Sequence, residues 1–128
     1  MAVEKWASCL VAAAGLAGAA GVAEAAYAAH QSSEPLLQVS SHFLLLHAAA
    51  VIAIAAFACS FPQKPRLMLS AASLLLFGCI LFCGDLSVRA FAGSRLFPMA
   101  APLGGSSLII GWLATAVAAL LLLRKPAS

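Results

Sequence analysis

Four long apolar runs, separated by short polar stretches, make up nearly the whole chain. They cover about residues 6–29, 40–61, 67–91 and 106–123. Runs of roughly 18 or more apolar residues are long enough for an α-helix to cross the hydrocarbon core of a bilayer. Backbone groups in lipid must be satisfied internally, and the alternating ten-residue segments of a membrane barrel are missing. The pattern predicts an all-α integral membrane protein, an up-and-down four-helix bundle forming one domain over 1–128.

The links between the runs contain the prolines and glycines that end helices. Residues 30–39 form a predicted outer loop or interfacial turn, and residues 61–66 form a tight hairpin connection with two prolines. Residues 92–105 form a loop rich in glycine and proline. The Pro102–Gly105 turn either caps the polar residues beneath it or simply begins the fourth helix.

Basic residues are distributed unequally between the two ends of the predicted bundle. One end carries Lys5, Lys64, Arg66, Arg124 and Lys125, whereas the other carries Arg89 and Arg95. The positive-inside rule therefore predicts that both termini are cytoplasmic, with the protein in the inner (plasma) membrane.

The first run also permits an alternative interpretation as a cleaved secretory signal peptide. Ala23-Glu24-Ala25 resembles a small-residue cleavage site, so cleavage near residue 25 stays open. The run is longer than an ordinary signal-peptide core, and only Lys5 precedes it as a basic residue, which favours a retained helix.

Composition narrows the possible functions. Hydrophobic residues make up 64% of the chain and charged residues 9%, whereas soluble domains have roughly 25% charged residues. The formal net charge is only +3 and the basic residues are scattered, which argues against nucleic-acid binding. The four cysteines lie in apolar runs, unlike the disulfide framework of a secreted domain. The four spans leave no length for a separate catalytic domain.

Five short strings occur in a fixed order along the chain. They are AAYAAH at 25–30, HAAA at 47–50, FCGDL at 82–86, PLGG at 102–105 and GW at 111–112. In this order they resemble the domain-of-unknown-function family 423, the YgdD-like small inner-membrane proteins, whose pattern reads GAFGAH, His-Ala-Leu, FSG-x-L, TPxGG and AGW. The resemblance covers about residues 13–121. It implies a four-helix membrane fold with no assigned activity and supplies no catalytic residue.

The chain departs from that family pattern at four positions. Glu24 stands where an aliphatic residue is usual, Cys83 replaces a serine, Ser87 replaces an aromatic residue, and Ala101 replaces a threonine.

Ionisable side chains inside the apolar runs are the candidates for function, because they are costly in lipid. Counting helix rise from the outer ends places Glu24, His47 and Asp85 roughly 8–10 Å deep. His30, His42 and Arg89 lie nearer the outer interface. These six residues form a predicted polar layer in the outer third of the bundle.

Each member of this layer has a structural and a functional interpretation. Asp85 and Arg89 are four apart and form either an intrahelical salt bridge or part of a substrate or proton site. Glu24 is either an interfacial carboxyl group or part of a proton or cation site, and if it faces the bundle its predicted partner is His47 or Arg89. His47 either hydrogen-bonds locally and fixes the second helix against the first, or acts as a ligand.

Small residues in the first run predict close helix packing. Gly15, Ala19, Gly21 and Ala25 stand at four-residue spacings, which let helix backbones approach in lipid.

Two cysteines of the third run and the two tryptophans have mainly structural interpretations. Cys79 and Cys83 share a helix face and are either small hydrophobic residues or a thiolate pair. Trp6 is predicted to be an interfacial anchor and Trp112 a packing residue.

Three functional hypotheses follow. The preferred one is a non-catalytic structural, accessory or assembly component without a cofactor, which contacts lipid and packs with itself or a larger complex through the small-residue face of the first helix. The second is a small proton or cation transporter or channel using Glu24, His47 and Asp85. The third is a metal- or haem-binding membrane protein that uses the histidines and carboxylates of the polar layer.

Overall fold

Four long helices form the molecule, as the apolar runs predict. The computed structural model describes residues 2–32, 34–61 and 63–124. The helices are α1 (Ala2–Tyr27), α2 (Pro35–Ser60), α3 (Pro65–Ala92) and α4 (Ala100–Leu122), and a π-helical segment (Ala28–Ser32) continues α1. Each is long and apolar enough to cross a membrane, so the all-α membrane fold is confirmed. Pro62, one of the two prolines of the predicted hairpin connection, and Lys125 lie outside the described residues.

The connection between α1 and α2 is much shorter than predicted. Helical structure continues through Ser32, and α2 already begins at Pro35, so the prediction of a loop over residues 30–39 is wrong. Proline is well suited to the first position of a helix, because its missing N–H would have no intrahelical partner there. The Glu34 side chain caps this helix by accepting a hydrogen bond from the Leu36 N–H at 3.3 Å. The proline therefore marks a helix start.

The connection between α3 and α4 is also shorter than predicted. Gly93 ends α3 in the left-handed conformation, with φ at 73°, and its N–H donates to the Arg89 carbonyl at 3.0 Å. Glycine adopts this conformation without a steric penalty. Because α4 begins at Ala100, Pro102 lies in its first turn, where proline is tolerated. The Pro102–Gly105 stretch is thus a helix start, and the alternative of a capping turn is wrong.

The helices pack mainly on their neighbours in sequence. α1 packs on α2, α2 on α3 and α3 on α4, with a lighter contact between α1 and α3. In the most apolar stretch of α3, 50% is buried inside the bundle, whereas in the most apolar stretch of α4 only 17% is buried. α3 is therefore a central helix, and α1 and α4 are edge helices with broad outward faces.

Glycines allow α3 and α4 to touch through their backbones. A Cβ added to Gly104 would lie 2.6 Å from the Phe82 backbone nitrogen, and one added to Gly78 would lie 2.8 Å from the Gly104 carbonyl oxygen. Both distances are shorter than real Cβ contacts allow. Close approach of this kind is a common way for helices to pack in lipid.

The small residues of α1 divide between an inward and an outward face. Gly21 is buried, and Ala25 is half-buried. Gly15 and Ala19 are exposed, and a Cβ added to Gly15 would meet no atom within 4 Å. Gly15 and Ala19 therefore do not pack within this chain, and their predicted role stays a prediction about contact with another molecule.

Candidate functional site

His47 on α2 has both ring nitrogens engaged. Its side chain is 3% exposed, its Nδ1 lies 2.8 Å from the Phe43 carbonyl oxygen, and its Nε2 lies 3.2 Å from the Trp112 indole nitrogen. An indole N–H only donates, so Nε2 is the acceptor and Nδ1 carries the proton donated to Phe43. This arrangement assigns the neutral tautomer and leaves no ring nitrogen for a ligand.

The His47 contact also corrects a prediction about the bundle. Trp112 belongs to α4, so the hydrogen bond fixes α2 against α4, and the prediction that His47 fixes the second helix against the first is wrong. Trp112 is more than a packing residue, because its ring also lies against the imidazole, with centroids 5.8 Å apart. His47 is a structural contact between two helices that are not neighbours in sequence.

Glu24 on α1 is held by a residue that the sequence did not identify. Its Oε1 accepts a hydrogen bond from the Ser87 hydroxyl of α3. The predicted partners, His47 and Arg89, are wrong. A serine in an apolar helix is not a candidate site residue by its type alone. Ser87 was distinguished in the sequence only because the family pattern has an aromatic residue at its position. Glu24 Oε2 is buried and has no hydrogen-bond partner among the described residues.

Serine and cysteine side chains extend the contact of Glu24 toward α2. The hydroxyls of Ser40 and Ser87 lie 3.3 Å apart, and Ser40 also donates to the Cys83 carbonyl at 3.4 Å. Cys83 donates through its thiol to the Ser40 carbonyl at 3.5 Å. Cys79 lies 3.9 Å from Cys83, sulfur to sulfur, and donates to the Phe43 carbonyl at 3.6 Å. The cysteine pair thus joins α3 to the backbone of α2.

This series of contacts ends at one carbonyl group. The Phe43 carbonyl oxygen accepts from the Cys79 thiol on one side and from His47 on the other. A carbonyl oxygen accepts hydrogen bonds but has no proton to pass on. The contacts from Glu24 to His47 therefore do not form a continuous proton relay.

Asp85 and Arg89 form a separate group that holds the loop before α4. The salt bridge predicted from their spacing is present, with 2.7 Å between Arg89 Nη2 and Asp85 Oδ2. Asp85 is 0% exposed, and its Oδ1 accepts from the Leu96 backbone N–H at 2.9 Å. Arg89 is 28% exposed at its side chain and reaches the surface. Ser87 and Asp85 are two residues apart on α3, so they point to different sides of that helix.

The remaining two histidines lie apart from these groups. His42 is exposed and lies with its Nδ1 2.7 Å from the Gln38 carbonyl oxygen of its own helix. His30 is exposed in the π-helical segment. Among residues 2–32, 34–61 and 63–124, no group of three histidine, cysteine or acidic side chains is arranged to hold a metal ion. Of the six predicted residues, the described contacts bring together Asp85 and Arg89 only.

Comparison with known proteins gives a family but no described activity. A family model described as protein of unknown function (DUF423) matches residues 8–105, which include most of α1, all of α2 and α3, and the first six residues of α4. No solved structure matches the chain.

Proposed function

The chain belongs to the DUF423 family of proteins of unknown function, and we propose that it is a non-catalytic structural, accessory or assembly component of the inner (plasma) membrane. The chain is a multi-pass membrane protein. The proposal concerns what such a protein does there and how it is oriented.

The observation that carries the proposal is the engagement of His47. Histidine is the side chain best suited to acid–base chemistry or metal binding near neutral pH, and the buried one in this bundle uses both nitrogens to join helices. Other polar contacts have the same purpose. Trp6 donates to Ser73 at 2.9 Å and joins α1 to α3, and Ser87 joins α3 to Glu24 of α1. Polar groups used in this way support a structural role.

The proposed orientation places both termini in the cytoplasm. Four basic residues lie at one end of the up-and-down bundle. They are Lys5 in the first turn of α1, Lys64 in the α2–α3 link, Arg66 in the first turn of α3 and Arg124 just after α4. Arg89 and Arg95 belong to the other end. The excess of basic residues at the first end supports a cytoplasmic position for it.

The proposed partner surface is the outward face of α1, which binds a second copy or a larger complex. Gly15 and Ala19 are exposed there, and small residues let a second helix approach closely. Gly105 on α4 provides a matched control, because a Cβ added at either glycine would meet no atom within 4 Å. A side chain added at either position therefore starts in open space.

The test compares Gly15→Leu with Gly105→Leu in native membrane vesicles. We expect chemical crosslinking to trap the wild-type chain and Gly105→Leu in oligomers or in one defined larger complex, and Gly15→Leu to reduce that fraction several-fold. Equal crosslinking of the three proteins would refute the partner surface on α1.

Transport is the main rival function, and a flux assay distinguishes it from the accessory role. The break at the Phe43 carbonyl supports the structural role, because the hydrogen bonds among the described residues do not give protons a continuous path between Glu24 and His47. We expect liposomes containing the protein to show the same proton and cation flux as empty liposomes. A flux that Glu24→Gln removes would replace the accessory role by transport.

A further inference from the structure

A groove between α1 and α3 opens sideways from the bundle toward the lipid. Its volume is about 390 Å³, which is within the range of small-molecule sites. Its openness to lipid follows from Leu16 and Ile80, which are 75% and 54% exposed. Residues of both helices line it, among them Leu16, Ala20, Glu24, Ile80, Gly84 and Ser87. The groove exists because α1 packs mainly on α2 and because alanine and glycine leave space beside α3.

Polar groups line one end of this groove, and the rest is apolar. At that end, Glu24 Oε1 is occupied by Ser87, whereas Glu24 Oε2 is buried and has no hydrogen-bond partner among the described residues. A buried oxygen without a hydrogen-bond donor is destabilising, and no backbone N–H of α1 is free at mid-helix to supply one. Glu24 lines the groove, so a donor can reach Oε2 from the groove once the side chains that cover this oxygen move aside.

The depth of Glu24 in the hydrocarbon core indicates which kind of molecule can bring a hydrogen-bond donor to it. The apolar span of α1 runs over residues 2–31, so its middle lies between Leu16 and Ala17. At 1.5 Å per residue, Glu24 lies roughly 11 Å from the middle and about 4 Å inside the edge of a 30 Å hydrocarbon core. The groove thus runs from the bilayer centre to just beneath the headgroups, which is the path of one hydrocarbon chain.

We propose that this groove binds a single-chain amphiphile with a primary amine head, whose N–H donates to Glu24 Oε2 while its tail lies between α1 and α3. An amine fits better than a hydroxyl head because an ammonium group has three N–H donors that can turn toward Oε2, whereas a hydroxyl has one. This inference goes beyond the proposed accessory role and does not depend on it, because the groove lies between helices of one chain.

The test uses the full chain in nanodiscs of phosphatidylcholine, whose headgroup has no N–H or O–H donor. The probe is octadecylamine with a photoreactive diazirine in the tail, and labelled residues are identified by mass spectrometry of peptides. Two probes with the same tail serve as controls: a trimethylammonium head has the charge without the donor, and a methyl ester has neither. We expect the amine to label α1 and α3 at the groove at least fivefold more than either control.

Two exposed alanines on different helices separate groove binding from general contact with lipid. Ala20 on α1 lines the groove, whereas Ala116 on α4 is exposed and does not line it. Ala20→Leu fills the groove and should lower amine labelling at least fivefold, whereas Ala116→Leu should leave it unchanged. Both positions are exposed, so both variants are expected to fold. Equal labelling of the two variants would overturn the proposal.

Glu24→Gln tests the head of the ligand. The amide keeps an oxygen for Ser87 but places an NH₂ group where the amine donor binds. In Glu24→Gln, the concentration of amine probe that gives half-maximal labelling should rise roughly tenfold or more, because hydrogen bonds to charged groups are strong. Labelling by the methyl ester should be unaffected. Unchanged amine binding by Glu24→Gln, or amine labelling no stronger than that of the methyl ester, would contradict the proposal.

Discussion

The hydrogen bond between Trp112 and His47 allows a direct test of the structural role of the buried histidine. Trp112→Phe removes the indole N–H and keeps an aromatic ring, and His47→Leu removes both imidazole nitrogens. Each single variant also changes other contacts, such as the bond from His47 to Phe43. A double-mutant cycle cancels those changes and leaves the energy of the pair itself.

The expected coupling energy follows from the burial of the acceptor. Hydrogen bonds between helices in membrane proteins contribute about 0.6 kcal/mol on average and up to about 1.7 kcal/mol. His47 is 3% exposed, so water does not replace the indole when it is removed. We therefore expect a coupling of about 1–1.7 kcal/mol, in the upper part of that range.

The measurement is the free energy of unfolding in mixed micelles, followed by circular dichroism for the wild type, both single variants and the double variant. The control cycle pairs His47→Leu with Trp6→Phe, because Trp6 donates to Ser73 and not to His47. That cycle should be additive within about 0.5 kcal/mol. If the Trp112 cycle is equally additive, the indole does not donate to His47, and the histidine becomes a candidate ligand again.

Three further predictions follow from other contacts. Arg89→Met should lower the free energy of unfolding by about 3–5 kcal/mol, because it leaves the Asp85 carboxylate buried without its partner. Adding Asp85→Asn to the same chain should restore more than half of this loss, and no restoration would contradict the ion pair. In thermal unfolding, Gly104→Ala should destabilise the protein by about 1–3 kcal/mol through a clash with α3, whereas Gly105→Ala should stabilise it by about 0.5–1 kcal/mol. Stability changes of the same sign in the two variants would refute the close helix contact. Protein purified in mild detergent without chelators should show neither stoichiometric metal nor a Soret band; a band lost in His47→Ala would refute the structural assignment of that histidine.

The sequence was sufficient to predict the fold because length and hydropathy decide it in a bilayer. Every long apolar run became a helix, and the spacing of Asp85 and Arg89 was enough to predict their contact. The ends of helices were harder to predict. Pro35 was interpreted as a loop residue, and Pro102 as either a turn residue or part of a helix start. Proline fits both a loop and the first turn of a helix, and the sequence alone does not distinguish the two positions.

The partners of the polar residues could not be predicted from helix depth alone. Depth placed Glu24, His47 and Asp85 in one layer, but the rotation of each helix decides which neighbour a side chain meets. That rotation turned His47 toward Trp112 and Glu24 toward Ser87, while Asp85 turned toward the loop at Leu96. The rotation depends on packing of alanine, glycine and leucine over the whole bundle, and these residues give little periodic signal in a chain that is apolar on every side.

The carboxyl groups of Glu24 and Asp85 differ in when their partners are synthesised. Arg89 lies on the same helix as Asp85, four residues later, so α3 enters the bilayer with its ion pair already available. Ser87 follows Glu24 by 63 residues, and at roughly 5–20 residues per second the ribosome makes it about 3–12 s later. During that interval α1 carries a carboxyl group whose partner does not yet exist. The contact of Glu24 with Ser87 is therefore a marker of assembly, formed only once the first and third helices have met.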